Sequence, residues 1–95
     1  MGKTKEKQPI PKWFDGEIYD EGTIVRNPFS GEEYELNNVE LSIYDFVVGA
    51  NRTLEMLYEK SVEPNDRIRK LAKDLYKGID WFKKHNAEAY MVLLD

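Results

Sequence analysis

The chain has 95 residues, 41% of them apolar and 13% aromatic, with no cysteine and one histidine. That allows one modest core and is too apolar for a wholly disordered chain. It excludes disulfide staples, thiol nucleophiles and cysteine-ligated zinc. No apolar run approaches the length of a transmembrane helix or a signal-peptide core, so a cytoplasmic location is expected. The formal charge of −4 is unevenly placed. Residues 1–12 carry Lys3, Lys5, Lys7 and Lys12 against Glu6, a net of +3. Residues 13–45 carry nine acids against Arg26, a net of −8, and the remainder is nearly balanced at +1. An acidic middle argues against that region meeting a phosphate backbone.

In chain order, residues 1–12 read as a disordered basic tail and residues 13–95 as a single α+β domain. Pro9-Ile10-Pro11 forces an extended approach to the domain. Trp13 and Phe14 then either anchor the tail to the core or stand exposed as a partner hot spot. A β-hairpin follows over residues 17–36. Thr23-Ile24-Val25-Arg26 is β-branched, and Glu33-Tyr34-Glu35-Leu36 alternates polar with apolar. Between them, Asn27 caps its own backbone, Pro28 sets a turn and Gly31 permits positive φ. The sheet has two strands, or three if Glu17-Ile18-Tyr19 joins through Asp20-Glu21-Gly22.

Asn37, with Glu40 three residues on, is a capping box that starts a helix. Its apolar stripe is Val39, Ile43, Phe46, Val47, Ala50, Leu54 and Leu57, running to about Lys60. Gly49 interrupts it, which close packing of another backbone or a kink would explain. Ser61–Asn65 turns the chain into an antiparallel second helix, from Pro64 or Asp66 to His85. Its stripe is Ile68, Leu71, Leu75, Ile79 and Phe82. Asn86 suits a left-handed position after the helix end. A short third helix over Ala87–Leu94 is expected to present Ala87, Tyr90, Met91 and Leu94 on one face.

Signals for chemistry are sparse. A lone histidine excludes multi-histidine zinc sites and Cys/His dyads. No serine sits in a G-x-S-x-G elbow, and the glycines are too dispersed to cradle a phosphate. His85 suits a plain role at a helix C-terminus. Asp15, Glu17, Asp20 and Glu21 supply hard oxygen donors but lack the ligand alternation of a calcium loop. The expectation is therefore binding without catalysis, cofactor or metal.

Surplus apolar and acidic groups mark the candidate partner surface: Trp13, Phe14, Phe29, Glu32, Glu33, Glu35, Trp81, Tyr90 and Leu93. Trp81 adjoins the stripe residue Phe82 and so points partly away from it. The alternative is a nucleic-acid contact through the tail lysines and Lys70, Lys73, Lys77 and Lys84, which share one helix face. With no aromatic residue read as interleaved among those lysines, single-strand stacking has little support. In a third reading the acidic hairpin imitates nucleic acid or masks a basic surface on another protein.

The segments GTIVRNPFSGEEYEL (residues 22–36), SIYDF (42–46) and KGIDWFKKHNAEAYMVLLD (77–95) resemble small uncharacterised proteins of bacteriophages and environmental sequences. The resemblance implies a cytoplasmic accessory protein made during infection, more often binding a partner than catalysing. It brings no residue roles with it. The chain thus reads as a small interaction module that binds a protein partner or itself.

Overall fold

The computed structural model describes residues 8–94; of the lysines in the expected disordered tail, Lys3, Lys5 and Lys7 lie outside them and Lys12 within. An antiparallel hairpin of β1 (Thr23–Arg26) and β2 (Glu33–Leu36) leads into two long helices, α1 (Asn38–Glu59) and α2 (Asp66–His85). The chain closes with α3 (Ala87–Ala89), which runs on as a π-helical turn over Tyr90–Leu94. The fold is α+β, as the sequence predicts.

The hairpin forms where β-branched and alternating residues call for it. Thr23 pairs with Leu36 and Arg26 with Glu33. In the loop, Asn27 Oδ1 accepts from the amides of Phe29 and Ser30 at 2.8 and 3.3 Å. Gly31 takes φ +80°, the conformation its missing Cβ allows. Among the described residues no third strand forms at 17–19. The Tyr19 amide donates to Ser42 Oγ at 2.9 Å, and its carbonyl accepts from Asn38 Nδ2 at 3.0 Å. With its backbone engaged by α1 side chains, Tyr19 lies on α1.

Helix α1 begins at the expected capping box. Asn37 Oδ1 accepts from the Glu40 amide at 2.8 Å, and Glu40 Oε1 accepts from the Asn37 amide at 2.9 Å. Val39, Ile43, Val47, Ala50 and Leu54 are buried along one stripe. The other helix brings Leu75 and Phe82 to meet it, with Ile68, Leu71 and Ile79 half-buried alongside. Val47 lies against Gly78, and both are equally far in sequence from the Lys60–Asn65 connection, as an antiparallel pair requires. A Cβ on Gly78 would fall 2.6 Å from Val47 Cγ2. Of the two helix glycines, the one that packing demands is therefore Gly78. Gly49, expected to admit a close neighbour, is exposed, and nothing lies within 4 Å of where its Cβ would be.

Two termini also differ from expectation. Asn86 is not left-handed, with φ −155° and ψ 73°. It serves instead as α2 C-cap and α3 N-cap, its Oδ1 accepting from the Ala89 amide at 3.2 Å. Among the described residues the left-handed non-glycine residue is Ser61, φ 56°. The Ser61 amide donates to Tyr58 O and the Val62 amide to Leu57 O, which completes a Schellman ending for α1. Ala89 and Leu93 are the buried positions of the last turn, while Ala87 and Met91 face solvent. Ala89 and Leu93 are four residues apart, an ordinary helical spacing, so the docked face is simply a different one from that expected.

Candidate binding surfaces

The hairpin loop is the most exposed apolar feature. Phe29 is 97% exposed, yet the loop that carries it is tied down. Asn27 Nδ2 donates to the Val92 carbonyl at 2.9 Å, the Asn27 amide donates to Glu32 O at 2.8 Å, and the Gly31 amide to Asn27 O at 2.9 Å. One asparagine thus caps the turn and fixes it to the C-terminal turn, holding an aromatic ring outward. The signal was legible in N-P-F-S-G; the tie to Val92, 65 residues away, was not.

Beside the loop lies an open cleft of about 490 Å³. Val47, Leu75, Ile79, Leu93 and Leu94 contribute apolar surface, and Asn51, Arg52 and Glu55 add polar groups. Neither Arg52 nor Glu55 forms a salt bridge among the described residues. Sequence reading missed this cleft because its walls come from the loop, both helices and the last turn. Tyr44, also in the lining, has its phenol pushed above the ordinary value by burial and by the nearby Asp45 charge.

The candidate partner residues separate into three groups. Phe29, Glu32, Glu33 and Glu35 are exposed on the hairpin, with Arg26 Nη2 3.4 Å from Glu33 Oε2. Trp13 and Tyr90 are half-buried against the core. Phe14, Trp81 and Leu93 are buried, so they serve packing and leave the exposed set. Trp13, Phe14 and Phe46 form an aromatic cluster with centroids 5.9 to 6.1 Å apart, Phe14 edge-on to both others, which anchors the start of the domain. Trp81, at 6% exposure, packs on Phe82 and on His85 at 5.1 and 4.9 Å. Its adjacency to Phe82 pointed it outward by helical period, but it is buried, with the His85 ring packed on it.

On α2, Lys70, Lys73, Lys77 and Lys84 are all exposed. Lys70 Nζ donates to Asp74 Oδ2 at 2.7 Å, and Lys77 Nζ lies 4.0 Å from Asp74 Oδ1. The hydrogen bond and charge of Asp74 hold the Lys70 ammonium above the ordinary lysine range. Two of the four lysines are thereby partly neutralised within the helix. Tyr76 corrects the reading that no aromatic stands among them, since it is exposed between Lys73 and Lys77.

A buried carboxylate organises the far side of the hairpin. Glu40 is 4% exposed. Its Oε2 accepts from Gln8 Nε2 at 2.8 Å and from Asn86 Nδ2 at 2.9 Å, while Asn37 Nδ2 donates to Gln8 Oε1 at 3.0 Å. Tyr34 Oη lies 3.2 Å from both Asn86 Oδ1 and Glu88 Oε1. Every oxygen of Glu40 is used inside the protein, as a buried charge requires. Among the described residues, no group of three or more acidic or histidine side chains is placed to hold a metal ion. No described helix is long and apolar enough to cross a membrane.

No family model, no curated protein and no solved structure matches the chain. Any functional reading therefore rests on the geometry of these surfaces.

Proposed function

We propose that the chain is a small cytoplasmic interaction module that binds a protein partner through its hairpin tip and the adjoining cleft, without catalysis. The observation that carries this reading is Phe29, an almost fully exposed aromatic ring on a loop fixed by hydrogen bonds. An aromatic ring pre-positioned in this way contributes to binding at little cost in ordering. The cleft beside it accepts an apolar side chain, and Glu32, Glu33 and Glu35 favour basic residues around that side chain. The partner that fits is a protein surface bearing an apolar knob flanked by lysine or arginine.

The test compares capture from lysate by the wild-type chain, Phe29→Ser, and the triple variant Glu32→Lys, Glu33→Lys, Glu35→Lys. All four positions are exposed, so thermal melting is expected to stay near that of the wild type. A protein retained by the wild type and lost by both variants supports the reading. Equal capture by all three chains overturns it. Light scattering over a concentration series tells whether the retained partner is a second copy.

A second reading has one specific observation behind it. Tyr76 and Lys73, which forms no salt bridge among the described residues, stand on the same side of α2, with Lys84 further along. A base stacks on such a ring while lysines meet phosphates. This reading requires binding to single-stranded oligonucleotides that falls with salt and is lost in Tyr76→Ala. Absence of binding at low salt disposes of it.

A further inference from the structure

The chain itself carries a side chain of the kind the cleft accepts. Phe29 belongs to the cleft lining yet is 97% exposed, so its ring stands at the rim and projects outward. Arg52 of α1 belongs to the same lining, is exposed, and forms no salt bridge among the described residues. Glu32, three residues after Phe29, is exposed as well, and it too forms no salt bridge among the described residues. One patch therefore presents an apolar knob, the hollow beside it, a base and an acid. A knob with an arginine beside it is the surface that the hairpin tip and cleft call for in a partner.

Such a patch is complementary to a second copy of itself. A two-fold rotation about an axis between knob and hollow lays each Phe29 over the other copy's cleft. The same rotation carries Arg52, at the cleft, toward Glu32, beside the knob of the other copy. An interface of this kind uses one patch on both copies and closes at two. The hydrogen bonds of Asn27 already fix the loop, so little ordering is needed on contact. Each ring brings about 150–250 Å² of its own surface, so the contact belongs with the small, transient interfaces below about 1,200 Å². Glu55, in the same lining, opposes the incoming acid and keeps the dimer weak.

We propose that the cleft of one copy receives Phe29 of a second copy, in a weak two-fold dimer in which Arg52 of each chain meets Glu32 of the other. The inference rests on the reading of the hairpin tip and cleft as a binding surface, and it names the occupant. The ring enters among Val47, Leu75, Ile79 and Leu93, which supply the apolar walls.

Analytical ultracentrifugation of the full chain from about 10 μM to about 1 mM tests this. The mean mass of the wild type is expected to climb from that of one chain toward that of two. Phe29→Ser, Glu32→Arg and Arg52→Glu are each expected to raise the dissociation constant at least about tenfold. The double variant Glu32→Arg, Arg52→Glu exchanges the two charges and is expected to recover the wild-type value to within about threefold. A chain that is monomeric at every concentration overturns the proposal. So does a dimer that Phe29→Ser leaves intact or that the double variant fails to recover. A monomeric chain whose capture of a lysate protein is still lost in Phe29→Ser overturns the self-association alone and leaves the reading of the tip and cleft standing.

Discussion

Ser61 holds a left-handed conformation that glycine adopts without steric conflict. Ser61→Gly is expected to stabilise the chain by about 1 kcal/mol, measured by urea unfolding, because it removes the Cβ conflict from the Schellman ending. The sequence signalled that a helix ends near Ser61, but a serine gives no local sign of positive φ. Three tyrosines report on pH. Burial raises the Tyr34 and Tyr44 phenols above the ordinary value, and at Tyr19 the hydrogen bond to Asp45 does so, with Asp45 and Glu17 adding their charge. The folded state thus favours the neutral phenol. Its contribution is fully present below the unfolded value of about 10 and is lost as pH rises through the folded values. Ultraviolet titration is expected to show these phenols ionising late, with stability falling above about pH 10.

Elements were the most legible level. Both strands and the start of α1 follow from local chemistry, namely β-branched residues, the N-P-F-S-G loop and Asn37 with Glu40. What local pattern missed depends on neighbours. Tyr19 has strand-like surroundings, yet Ser42 and Asn38 offer its backbone better placed partners. Ala87 and Met91 belong to the face expected to be apolar, yet both are exposed, and Ala89 and Leu93 take the buried positions. The two helix glycines look alike in sequence but not in packing. Gly49→Ala is expected to stabilise by up to about 1 kcal/mol, since it fills open space on an exposed helix face. Gly78→Ala drives a methyl into Val47 and forces α1 and α2 apart. A loss of about 1–3 kcal/mol is expected in the same urea series. A reversed order of the two would show that the helices do not meet at Gly78.

At the scale of the whole molecule, sequence reading located the acidic hairpin and the basic face of α2 but not the surfaces that several elements build together. The cleft beside Phe29 and the Glu40 network both join residues far apart in the chain. Glu40→Ala leaves the donors of Gln8, Asn37 and Asn86 without their acceptor. Those donors are half-buried, so water meets part of the loss, and a total cost of about 1–3 kcal/mol is expected, read as a lower urea midpoint.

The same carboxylate bears on how the chain reaches its native state. Its partners Gln8 and Asn86 are 32 and 46 residues away in sequence, so their bonds close long loops and depend on the hairpin, both helices and the last turn already being in place. Local helix and hairpin contacts form sooner than such distant ones. Glu40→Ala is therefore expected to leave the refolding rate almost unchanged and to speed unfolding, the kinetic mark of an interaction absent from the transition state. Glu40 would then act as a late latch, governing how long the molecule stays folded more than how quickly it folds.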